Sequence, residues 1–176
     1  MITIRSATQI NAPLERCFML AASIDLHAAS TGRKAIAGVT TGLQGAGDTV
    51  TWNGPGGEFQ TLTEVWRPCS YFREVMLSGP FKAYEHERHF APMNDGTRIR
   101  DEIRFTVDGI FGRLSESMLR RKTLQLLEQR NIFLKRVAES GEWEQYLEGQ
   151  PALNMRAYQS LSTSTVSENT PHAFAK

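Results

Sequence analysis

Cysteine is almost absent from this chain of 176 residues. The two present, Cys17 and Cys69, lie far apart and lack the close spacing of a metal-binding set. Two reduced, buried thiols are the expected state, which suits a cytoplasmic protein. An excess of one charge sign is also missing. The formal net charge is +1, so the strongly basic face of a nucleic-acid binder is not expected. No run approaches the roughly 18 apolar residues of a membrane span. The opening stretch MITIRSATQI alternates apolar and polar residues and lacks the apolar centre of a signal peptide. No internal repeat is visible. With 40% hydrophobic residues, most of the chain is expected to fold as one globular domain around a core of ordinary size.

Three regimes follow one another. Residues 2–10 read as a strand. NAPLERCFMLAAS (11–23) then reads as a helix, with Asn11 as its cap, Pro13 in its first turn and an apolar face of Leu14, Cys17, Phe18 and Ala21. IDLHAAS reads as a second short helix ending near Gly32. From residue 35 to 108 the period changes to two. KAIAGV, DTVTWN, EFQTLTEVW, YFREVML, KAYEHERHFAP and TRIRDEIRFTV are predicted strands, and NDG at 94–96 marks a tight hairpin. Short turns between consecutive strands make the sheet antiparallel. A long amphipathic helix over about 112–139 follows. Its stripe is predicted on Leu119, Leu126 and Phe133, widened by Met118, Leu127, Leu134 and Val137. The end of the chain, 149–176, is poor in apolar residues and is expected to be a disordered tail beyond a domain of residues 1–148. The fold class is therefore α+β: one strand, two short helices, about six further antiparallel strands and a long C-terminal helix. A curved sheet can wrap such a helix and leave space beneath it.

In this setting AGVTTGLQGAGDTVTW, GPFKAYEHERHF, DGTRIRDEIRF and LLEQRNIFLKRVAE resemble the START-like, or SRPBCC, superfamily with its helix-grip, Bet v 1-like fold. The likeness is nearest to bacterial members related to polyketide cyclases, and it covers residues 1–148. It implies a curved sheet of about seven strands around the long helix, with a cavity for a small, mostly hydrophobic molecule. It does not imply one chemistry, since the superfamily includes carriers, lipid-transfer proteins, cyclases and co-chaperones. Binding without catalysis is the leading reading. An acid–base enzyme of the cyclase, aromatase or dehydratase type and a co-chaperone-like interaction module are the alternatives.

The candidate site starts from AYEHERHF, residues 83–90. On a strand, alternate side chains share a face, which gives a row of Tyr84, His86, Arg88 and Phe90. On the next strand Asp101 interrupts an apolar row that includes Ile103 and Phe105. A hairpin turning at Asp95–Gly96 sets Arg88 opposite Ile103, and a four-residue loop sets it opposite Asp101; either brings the two charges within reach. A buried charge needs a partner. The row is thus a polar patch orienting a ligand, a paired core bridge, or the water-facing rim of a cavity. Trp52, Met118, Leu119, Leu126 and Phe133 complete the expected ligand-binding set, and Lys122 and Arg130 are placed to reach the cavity. His27 sits near the second short helix, where the cavity entrance lies in folds of the resembled kind; it could serve as a base, but a lone histidine there is more often an ordinary surface residue. No cofactor or metal is expected. HERH at 86–89 is one residue short of a zinc motif and sends its two histidines to opposite faces. GLQGAG is read as a glycine-bent connection and not as a phosphate loop.

Overall fold

The computed structural model describes residues 1–54, 56–107 and 113–149. The start of the long helix at 112 and the expected tail from 150 onward lie outside them. Strand β1 (Ile2–Ile10) is followed by α1 (Leu14–Ala22) and α2 (Ile24–Thr31). Six strands come next: β2 (Lys34–Gly38), β3 (Thr49–Asn53), β4 (Phe59–Arg67), β5 (Tyr71–Ser78), β6 (Ala83–Met93) and β7 (Gly96–Thr106). The long helix α3 spans Arg113–Glu139. A single 3-10 turn (Gly141–Trp143) and a short α4 (Glu144–Leu147) end the described chain.

All seven strands form one antiparallel sheet in the order β1-β7-β6-β5-β4-β3-β2. The first strand therefore sits on one edge and the second on the other, and α1 and α2 carry the chain across between them. Irregularities in the β2–β3 and β4–β5 pairings add the local bends that a curved sheet needs. On the outer face cross-strand charge pairs form, with Arg104 ion-paired to Glu85 (2.5 Å) and Glu87 (2.8 Å).

Apolar side chains gather in three clusters. One joins α1 to β5, β6, β7 and the C-terminal half of α3 through Phe18, Phe72, Phe90, Ile99 and Leu134. Trp143, Tyr146 and Leu147 pack against it. A second holds Ile4, Ile103, Phe105 and Leu127, and a third Ile24, Ala35, Val50 and Trp52.

Local details depart from the sequence reading in three places. Asn11 does not cap α1. Pro13 occupies the cap position without a side-chain bond, and the Asn11 backbone N–H donates instead to Glu139 Oε1 (2.7 Å). The β6–β7 hairpin turns at Asn94–Asp95, because Met93 pairs with Gly96. Gly96 belongs to the strand: a Cβ there would lie 2.1 Å from the Ile10 carbonyl oxygen, so the close approach of β1 demands glycine. The third departure is the phase of α3. Its buried line is Leu127, Arg130, Asn131, Leu134, Val137 and Ala138, whereas Leu126 is 40% and Met118 66% exposed. Steps of seven drift by about 20° per heptad on a helix of 3.6 residues per turn. The true stripe was hidden because two of its central members are polar.

Candidate functional site

Strands β6 and β7 pair in the register that sets Arg88 opposite Asp101 and His86 opposite Ile103. All of these point inward. Arg88 is completely buried, and Asp101 is 2% exposed. Arg88 Nε donates to Asp101 Oδ1 (2.6 Å) and its Nη2 to Asn131 Oδ1 (2.7 Å). Asn131 Nδ2, from α3, closes the ring by donating to Asp101 Oδ2 (2.8 Å). His86 Nε2 lies 2.8 Å from Asp101 Oδ1; the carboxylate can only accept, so this nitrogen carries the proton. On its other side His86 Nδ1 faces Glu74 Oε2 at 3.8 Å, while Glu74 Oε1 accepts from Gln44 Nε2 (2.9 Å).

Burial pushes the Asp101 carboxyl up, but the Arg88 guanidinium and the His86 bond outweigh it and hold the group well below its usual range. Burial lowers the proton affinity of His86 despite Asp101, so the imidazole is neutral at neutral pH. Burial also raises the Tyr84 phenol far above its ordinary value, helped by Glu74. Arg130 is pushed down to about 10, by burial first and by Arg88 second, which leaves it charged at neutral pH.

Beside this network, a cavity of about 570 Å³ opens between the sheet and the N-terminal half of α3. Its apolar wall includes Phe59, Met76, Phe81, Ile103, Leu119 and Leu127. Its polar groups are His27, Thr31, Arg33, Tyr84, His86, Lys122, Thr123 and Arg130. Gly56, Pro80, Met118, Lys122 and Leu126 line it and are also exposed, so they mark the mouth. The volume lies inside the range of roughly 300–1,000 Å³ common for small-molecule sites. A shallower depression of about 500 Å³ on the outer face is lined by Arg5, Glu87, His89, Arg100 and Glu102 among others. Its Arg5 and Glu102 are paired with each other (2.6 Å), and it is an ion-paired outer surface.

Of the expected residues, Tyr84, His86, Ile103, Met118, Leu119 and Leu126 line the cavity, as do Lys122 and Arg130. The other six do not. Arg88 and Asp101 stand behind His86 in the closed network, which makes them a buried bridge. Phe90 packs edge-on against Phe18, with ring centroids 5.0 Å apart. Phe105 backs the cavity through Phe81, 4.7 Å away. Phe133 lies under the Arg136 guanidinium (4.8 Å). Trp52 is 2% exposed and is screened by His27, whose ring stacks on it at 4.2 Å.

His27 is correspondingly no ordinary surface residue. Its free face opens on the cavity, and burial, followed by the charge of Arg130, holds its proton affinity well below the usual 6.5. Sequence reasoning also missed Asn131, Glu74 and Gln44. The Arg130–Asn131 pair interrupting an apolar helix stripe was the one signal available. Gln44 reaches the interior because the glycine-bent connection folds inward, with its backbone N–H donating to the Ala22 carbonyl (3.2 Å).

No protein-family description matches the chain, and no curated protein matches it in sequence. Solved structures do. A START superfamily protein from Mycobacterium smegmatis superposes with a TM-score of 0.62 at 12% identity, covering 78% of this chain and 97% of that one. The di-domain aromatase/cyclase StfQ of the steffimycin biosynthetic pathway gives 0.63 at 12% identity, covering 78% of this chain and 50% of its own. Ara h 8.0201 gives 0.53 at 9% identity, covering 76% and 97%. At such identities the likeness is one of fold. The chain has the α+β helix-grip fold of the START-like and Bet v 1-like proteins, the fold its strand and helix motifs resemble.

Proposed function

We propose that this protein binds a small, mostly hydrophobic molecule in the cavity between the sheet and α3, without converting it. The observation that carries the reading is the cavity itself: a largely apolar wall with polar groups set among it. A carrier reading is favoured over acid–base catalysis by His86. Its Nε2 proton is committed to Asp101 (2.8 Å) and Glu74 stands 3.8 Å from Nδ1, whereas a general base must reach the proton it takes. Tyr84, held protonated by burial, serves as a hydrogen-bond donor. Two free, buried cysteines fit a reducing compartment such as the cytoplasm. No helix among the described residues is long and apolar enough to cross a membrane.

The test is titration with N-phenyl-1-naphthylamine, a neutral apolar fluorophore. Saturable binding of one probe per chain is expected, and Leu119→Trp, which fills the cavity from α3, abolishes it while the fold is retained. Absence of saturable binding, or binding unaffected by Leu119→Trp, overturns the reading.

A further inference from the structure

The cavity wall carries three cationic side chains, Arg33, Lys122 and Arg130. Among the described residues no aspartate or glutamate lines it. None of the three cations forms a salt bridge to a described residue. Arg130 is 5% exposed. Its Nη2 donates to the Ala21 carbonyl (3.1 Å), but its Nε is buried without a partner. Arg33, whose guanidinium lies over the Phe59 ring at 4.6 Å, likewise keeps Nη1 buried and unpartnered. A buried donor left unpaired is costly, and more so on a charged group. The two buried carboxylates nearby are otherwise engaged: Asp101 by Arg88, His86 and Asn131, and Glu74 by Gln44.

We infer that the cavity takes an anionic amphiphile: an apolar body ending in one carboxylate, which the unpartnered Nε edge of Arg130 receives, with Arg33 and Lys122 favouring the same charge nearer the mouth. The inference rests on the binding reading above and names its ligand class. A guanidinium matches a carboxylate in geometry as well as charge, through paired N–H donors. A neutral head would leave the buried Arg130 Nε and Arg33 Nη1 donors without a charged acceptor. The apolar remainder of the wall leaves room for a hydrophobic body.

The experiment displaces bound N-phenyl-1-naphthylamine from the full chain with dodecanoate and with 1-naphthylacetate, each compared with its own methyl ester. The expected result is that at least one acid competes about tenfold or more better than its ester, a preference that shrinks as salt is raised. Arg130→Met is expected to erase the preference, with each acid falling to the level of its own ester. Arg33→Met, at a less buried position, reduces it by a smaller factor and supplies the test should Arg130→Met fail to fold. Acids no better than their esters in the unaltered protein overturn the anionic-ligand inference and leave the binding reading standing. A preference that survives both substitutions also overturns it. Failure of the neutral probe to bind at all removes the binding reading, and this inference with it.

Discussion

Arg88 carries a full charge with no exposure to water, and every piece of its stabilisation is local: Asp101 on the facing strand and Asn131 on the helix. Removing one member of such a set strands the other charge. Arg88→Met is therefore expected to cost roughly 3–5 kcal/mol by chemical denaturation. Arg88→Met combined with Asp101→Leu should recover only part of this, because His86 and Asn131 both lose their acceptor. Full recovery would mean that the bridge is a simple isolated pair. The Arg88–Asp101 half of the network is legible in the sequence, since period two puts both residues on inward rows and a hairpin joins them. The Asn131 half is not, because its partner is 30 residues away and no local pattern announces the contact. His27 sets a second expectation at this scale. The folded protein holds its imidazole neutral, through burial and the charges of Arg130, Arg88 and Arg33 together with His86, whereas the unfolded chain takes up a proton below the ordinary value of 6.5. The unfolded state then binds more protons, so stability is constant above that pH and falls as pH drops through it. His86, lowered in the same direction, adds to the slope. Melting temperatures followed from about pH 8 to about pH 5 should show the decline, and His27→Gln should make it shallower. An unchanged slope would mean that His27 is freely solvated.

The long helix divides at its middle. Its C-terminal half contributes Leu134, Val137 and Ala138 to the main cluster, and its N-terminal half roofs the cavity with Leu119, Thr123, Leu126 and Leu127. The two halves should respond differently to truncation. Leu127→Ala, at a 4% exposed position between Ile4 and Ile103, is expected to cost about 2–5 kcal/mol. Leu126→Ala, 40% exposed at the cavity mouth, should cost under about 1 kcal/mol. Equal losses in urea melts would return the helix to the phase that seven-residue steps indicate. The existence and extent of this helix could be read from periodicity, and so could each of the seven strands. Its rotation could not, because an apolar-only criterion discards Arg130, which lines the cavity, and Asn131, which closes the network. The missed cap of α1 has a similar origin: Asn11 has the right side chain, but its backbone is held by Glu139, distant in sequence at the C-terminal end of α3.

At the scale of the whole molecule, the edge-to-edge path of α1 and α2 spans between the two sheet edges, and the tight cluster around Phe18 and Leu134 packs away from the cavity. The cavity mouth depends on the rim of Pro80, Met118, Lys122 and Leu126, which has solvent on one side and the cavity on the other. An occupant of the cavity supplies contacts that this rim otherwise lacks, and few to the cluster around Leu134. Local opening free energies range from near zero at such margins to the global value in the core. Ligand binding raises stability by RT ln(1 + [L]/Kd), about 2.7 kcal/mol at a free concentration of roughly 100 Kd. Amide hydrogen exchange with and without saturating N-phenyl-1-naphthylamine should therefore slow mainly across Met118–Leu127 and around Phe81 and Tyr84. The amides of Leu134–Ala138 should change only through the global term. Protection spread evenly along α3 would place the probe elsewhere than the cavity, and protection confined to the outer face of β1 and β7 would place it in the ion-paired depression there.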